Sequence, residues 1–89
     1  MEIFGDVEIE VLKETVVEGY DKDSKIVLTQ VKELDKDASV YTIYKELIYD
    51  GNHHSGIEFH STHNKKGSDE YFSMWESEYP EEKLIRKIF

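Results

Sequence analysis

Cysteine is absent from this chain of 89 residues, so the disulfide framework on which small secreted domains commonly rely is not available to it. Proline is almost as scarce. Pro80 is the only one, Ala38 is the only alanine and Arg86 the only arginine. No stretch rich in Pro, Gly or Ser marks a linker and no segment repeats, so residues 1–89 are read as a single domain. No apolar run approaches the roughly 20 residues that span a bilayer. The opening Met-Glu-Ile-Phe-Gly-Asp has neither the basic nor the apolar region of a signal peptide, and a cytoplasmic location is expected.

Positive charge is also in short supply. Eleven basic residues face twenty acidic ones, for a formal net charge of −9. Nucleic acids and anionic membranes are bound through basic footprints, so neither is expected as a direct partner. A protein with a basic surface fits the charge better.

What is present is aromatic. Six Tyr, four Phe and one Trp supply bulky anchors that disordered chains lack, so the chain is read as folded. A domain this short buries only about two-thirds of its unfolded surface. Some aromatic surface is therefore expected to be covered by a partner or a second copy, and a homo-oligomer is anticipated. Lys, Ile, Tyr, Glu and Asp are the residues of AT-rich codons. In a short acidic protein they suggest a phage or mobile-element accessory gene.

Periodicity points to an α+β fold: a small antiparallel, meander-like sheet of about five strands with a short C-terminal helix packed on it. Val7, Ile9 and Val11 alternate with Glu8 and Glu10, and this strand is extended to Val17, although Leu12 and Val16 fall on the opposite face. Residues 19–24 (GYDKDS) read as a turn, 25–34 (KIVLTQVKEL) as a second strand and 35–38 as the next turn. Residues 39–49 match both a β-rich strand and a helical stripe through Val40, Ile43, Tyr44, Leu47 and Ile48. The β-branched and aromatic load favours the strand, with a helix as the alternative. Asp50 to Gly56 reads as a loop, and Ile57 to His63 as a strand with Ile57 and Phe59 inward. Asn64 to Asp69 reads as a turn. Residues 70–76 are assigned to a strand, with a helix capped by Ser68 as the alternative. Pro80, Glu81 and Glu82 followed by Leu84, Ile85, Ile88 and Phe89 suit a short terminal helix.

The motifs of catalysis are missing. There is no nucleophile elbow, no Gly-rich phosphate loop and no cysteine, so no enzyme, no catalytic residue and no cofactor are expected. His53, His54, His60 and His63 lie close in sequence and are weak candidates for a metal such as zinc. A strand would send His60 and His63 to opposite faces, so no metal site is assigned. The two Asp-Lys-Asp segments fail as calcium loops. Counting from Asp35 puts Val40 where a glycine is required, and counting from Asp21 puts Lys32 at the final ligand position.

Two acidic clusters remain as candidate partner-binding sites. Glu8, Glu10, Glu14 and Glu18 share parity, so a continuous strand would show them as a carboxylate ladder able to imitate spaced phosphates. Tyr71, Trp75 and Tyr79, interleaved with Glu76 and Glu78, form an acid-ringed aromatic stretch of the kind that suits a binding hot spot. The plainer reading of each is a solvated strand face and a piece of core. The function expected is that of a small acidic binding protein, an inhibitor or adaptor that occludes a basic surface of a host protein. The alternative is an oligomeric binder of a nucleotide, a metabolite or a metal.

Overall fold

A computed structural model describes residues 2–4, 7–21, 24–35, 38–49 and 53–89, with side chains described for 8–18, 24–34, 38–49, 55, 56 and 58–89. Five strands follow one another as an antiparallel meander: β1 (Glu2–Phe4), β2 (Val7–Asp21), β3 (Ser24–Asp35), β4 (Ala38–Tyr49) and β5 (His53–Thr62). Helix α1 (Lys65–Glu76) comes next, then a 3-10 turn (Glu81–Lys83) and β6 (Leu84–Ile88). β6 pairs with β2 over Lys13–Val17, while β1 pairs with the start of the same strand, so two short strands line one side of β2.

The strand assignment for residues 39–49 holds. Ser39 to Tyr49 lie within β4, which pairs with β3 in unbroken register from Asp35↔Ala38 to Ser24↔Tyr49. β3 explains why. Ile26, Val27, Leu28, Gln30 and Val31 are all buried, so the backbone N–H and C=O groups of this strand are shielded from water and need a partner strand on each side.

Residues 53–56, expected in a loop, belong to β5, and three later assignments also change. Residues 70–76 are helical, not strand, because spacing outweighs aromatic β-propensity. Ser68, Phe72 and Trp75 fall at i, i+4 and i+7 on one face, and all three are buried against the sheet. The helix also begins earlier than a Ser68 cap would allow. Asn64 is the cap, its side chain accepting from the Gly67 N–H at 3.2 Å, so the expected turn at 64–69 is the first turn of α1. The C-terminus is a 3-10 turn and a strand rather than a helix. A helix of two turns is marginal, whereas β2 offers a row of backbone groups that must be paired.

The core is small: Val17, Ile26, Leu28, Ile43, Phe72 and Trp75, with Leu47, Tyr79 and Leu84 packed on its margin. It lies between α1 and one face of the sheet. The other face carries no helix or loop among the described residues. Phe59, expected to point inward, is on that open face and is 70% exposed. No helix among the described residues is long and apolar enough to cross a membrane. Residues 22–23, 36–37 and 50–52, expected from the sequence in turns or a loop, lie outside the described residues.

Candidate binding surfaces

Because residues opposite one another in a ladder share a face, the register fixes what each face displays. Beneath α1 run the rows Lys13–Gln30–Ile43–His60, Thr15–Leu28–Lys45–Glu58 and Val17–Ile26–Leu47–Ser55. On the open face run Val16–Val27–Glu46–Gly56, Glu14–Thr29–Tyr44–Phe59 and Val11–Val31–Thr42–Ser61. β6 adds Leu84 and Arg86 to the covered face, and Ile85 and Lys87 to the open one.

The covered face is unexpectedly ionic. Lys45 reaches up from β4 with its side chain only 8% exposed, its ammonium 3.0 Å from Glu58 and 3.2 Å from Glu78. The same ammonium sits 5.0 Å from the Trp75 ring centre and 6.0 Å from that of Tyr79. Burial works against its charge, but the hydrogen bonds to Glu58 and Glu78 outweigh burial and leave its pKa raised. Lys13 repeats the motif, 3.3 Å from Asp69 and 4.6 Å from the Phe72 ring centre. Asp69 also accepts from Gln30 at 2.9 Å and from Lys65 at 2.8 Å. Burial pushes its carboxyl upward, but these bonds and the charge of Lys13 prevail and bring it down to about 2. Glu76 accepts from Thr15 at 2.7 Å and from the Arg86 guanidinium at 3.0 Å, and Arg86 also grips Glu81 with a two-pronged bond. Ion pairs thus clamp α1 and the C-terminal segment to the sheet.

The acid-ringed aromatic stretch is absorbed by this clamp. Trp75 is core, Tyr79 is half-buried beside it, and Glu76 and Glu78 hold Arg86 and Lys45. Tyr71 stays at the surface, stacked on His60 with ring centres 3.9 Å apart and 37% exposed.

The carboxylate ladder does not form as one row. Leu12 is skipped in the pairing of β2 with β3, so Val11 faces Val31 while Lys13 faces Gln30. This bulge moves every later residue to the other face. Glu8 and Glu10 end up on the α1 side, lining a shallow pocket of about 130 Å³ with Lys32 and Leu34. Glu14 is on the open face, and Glu18 follows it in parity. The mark of the break in the sequence is the adjacent pair Val11-Leu12, after which Val16 falls out of phase with Val7, Ile9 and Val11; the bulge returns Val16 to the face of Val11.

His60 is committed to Tyr71, and the His63 ring hydrogen-bonds through Nδ1 with the Ser39 carbonyl oxygen at 3.0 Å. The side chains of His53 and His54 lie outside the described residues. Among the described residues no three His, Asp or Glu side chains gather as a metal-binding group.

Sequence reading missed the open face itself. Its middle is apolar: Val16, Val27, Val31 and Tyr44, with Val11, Phe59 and Ile85 more exposed. Glu14, Glu18, Glu33 and Glu46 surround it, against Lys25 and Lys87. Burial, and then the charge of Glu33, push the pKa of the Tyr44 hydroxyl up. A groove of about 460 Å³ opens where β5 carries an extra residue, lined by Tyr44, Lys45, Glu46, Gly56, Glu58 and Phe59. No protein-family model, curated protein or solved structure matches the chain.

Proposed function

We propose that the protein is a small acidic binding protein whose working surface is the open face of its sheet. Its partner is another protein, with an apolar patch rimmed by Lys or Arg. One observation carries this reading. Lysine, glutamine and threonine are packed under the helix, while Val11, Val16, Val27, Val31, Tyr44, Phe59 and Ile85 occupy the uncovered side. A sheet face that meets only water ordinarily alternates the other way. An apolar centre ringed by carboxylates matches the anatomy of a protein interface, where the centre supplies affinity and the charged rim steers association. Occluding a basic surface in this way would make the protein an inhibitor or adaptor, the role of many phage and mobile-element accessory proteins. Catalysis has no part in this reading.

Three baits exposed to the lysate of the native host test it: wild type, Glu14→Lys with Glu18→Lys, and Glu8→Lys with Glu10→Lys. A protein retained by wild type should lose at least about tenfold in retention on the first variant, since two rim charges are reversed. The second variant, altered on the opposite face, should keep it. Equal retention by all three baits, or loss only from the Glu8 and Glu10 variant, sinks the assignment of this face, as does capture of nothing.

A further inference from the structure

The two sides of the sheet end differently. Beside β2 the terminal strands are β1, of three residues, and β6, of five, and β6 carries Arg86 and Lys87. Short strands and outlying positive charges are the usual protection of a sheet edge. β5 closes the other side with ten residues, His53–Thr62, and among the described residues it pairs only with β4. It contains no proline and no lysine. Glu58 is its single carboxylate, and that group is engaged by Lys45. The bulge at residue 57 interrupts this edge, but Glu58–Thr62 beyond it run in regular register, and so long an edge without proline or lysine is a template for another strand.

We infer that β5 pairs antiparallel with β5 of a second copy, about a two-fold axis through Phe59, to make one continuous sheet across the dimer. Charge and parity select this register. A two-fold axis normal to the sheet keeps each face on its own side, so it must pass through a residue opposite itself. Centring on Glu58 sets two carboxylates face to face. Centring on His60 sets imidazole against imidazole and leaves Glu58 opposite Thr62. Centring on Phe59 places Glu58 opposite His60 of the second copy, twice over, and stacks the two Phe59 rings on the open face. The row Lys45–Glu58 then continues into that His60, alternating donor, carboxylate and imidazole across the seam.

The ground beside β5 fits the same axis. A groove of about 410 Å³ lies on the α1 side, lined by His60, Thr62, Gly67, Glu70, Tyr71 and Met74. Met74 is 49% exposed and Tyr71 37%. The two-fold brings both α1 helices to one face of the joined sheet. The exposed Met74 and Tyr71 side chains of each copy then close on the other's groove, and Gly67 offers no side chain to hold them apart.

The absence of cysteine makes the register directly testable. Residues opposite one another across an antiparallel pair have Cα atoms about 4.5 or 5.5 Å apart, inside the span of about 4.4–6.8 Å that a disulfide bridges. Purified wild type should sediment as a dimer at micromolar concentration. Phe59→Cys should cross-link to itself under mild oxidation, whereas Ser61→Cys, opposite residue 57 of the second copy in this register, should not. Phe59→Lys, which sets like charges on the axis at an exposed position, should give a folded monomer by circular dichroism and sedimentation. A monomeric wild type overturns the inference, as does cross-linking through Ser61→Cys as fast as through Phe59→Cys. No host protein enters these measurements, so they stand or fall apart from the proposed function.

Discussion

Lys45 shows most clearly what single residues do in this protein. A lysine at the middle of a central strand would ordinarily disqualify that strand from a core, and here the core is built around its stem. Its stem lies on the covered face between Ile43 and Leu47 of the same strand, while the ammonium is satisfied by two carboxylates and the rings of Trp75 and Tyr79. Removing it leaves Glu58 and Glu78 facing each other across a vacated site. Lys45→Ala is expected to cost about 3 kcal/mol, as for truncating a buried unbranched side chain, since the carboxylates it leaves behind are half exposed and can rehydrate. In a domain of this size that lowers the melting temperature by on the order of 15 °C. Glu78→Gln should cost about 1 kcal/mol or less, because Glu78 is half exposed and Glu58 remains to hold the ammonium. The folded protein binds this proton more tightly than the unfolded chain does. The contribution of Lys45 is therefore complete below its ordinary value of 10.5 and lost only as pH rises through the raised one, so the difference is visible in a melting curve at neutral pH. Comparable melting temperatures for Lys45→Ala and Glu78→Gln would show that the clamp carries little weight.

At the scale of elements, α1 is held to the sheet by Phe72, Trp75 and its ion pairs, and Asp69 makes the pairing sensitive to acid. Its carboxyl lies at about 2 in the folded protein, against an ordinary 3.8. A depressed carboxyl stabilises fully above its ordinary value and loses that contribution as pH falls towards the folded one. Thermal melts of wild type and Asp69→Asn between pH 6 and pH 2 should therefore differ most at the upper end and converge near the lower, with the asparagine variant the less steep. A constant gap across the range would assign the stability to something other than the charge of Asp69. This element was also the hardest to see in sequence. β2 was legible from alternation and β3 from its β-branched load, while β4 was read as strand on its β-branched and aromatic load against a competing helical stripe, and the sheet rests on these three. In residues 70–76 the two signals conflict: Tyr71, Phe72 and Trp75 are β-prone by type and helical by spacing, and Asn64, eleven residues before Trp75, decides between them. The C-terminal stripe of Leu84, Ile85 and Ile88 failed for the converse reason. Its spacing suits a helix, but a free side of β2 outbids two isolated turns, and that free side is a tertiary fact. The carboxylate ladder failed on one residue, Leu12, whose place outside the pairing register sends Glu14 to the face opposite Glu10.

For the whole molecule, the charge of −9 acts with opposite sign on the two proposed interfaces. Two identical copies repel at long range, whatever attraction Glu58 and His60 supply at the seam. A basic partner is attracted at long range by the same field. Salt screens both, with a Debye length falling from about 10 Å at 0.1 M to about 3 Å at 1 M. Contacts closer than that length, including the seam pairs and the Lys45 clamp, are affected least. Raising salt from low to molar concentration should therefore tighten the dimer several-fold in sedimentation equilibrium, because what it removes is mainly repulsion between copies. Over the same range the retained host protein should be released, because what it removes is attraction. The apolar centre of the open face, Val16, Val27 and Val31, gains nothing from either screening, so salt dependence isolates the electrostatic part of each contact. A dimer that dissociates with salt would mean that the pairs at the seam, not strand pairing and apolar contact, hold the copies together, and the Phe59→Lys variant would then weaken with salt in parallel instead of being monomeric throughout. The opposite slopes follow from one number in the sequence. They make the self-association and the partner complex separable in a single titration.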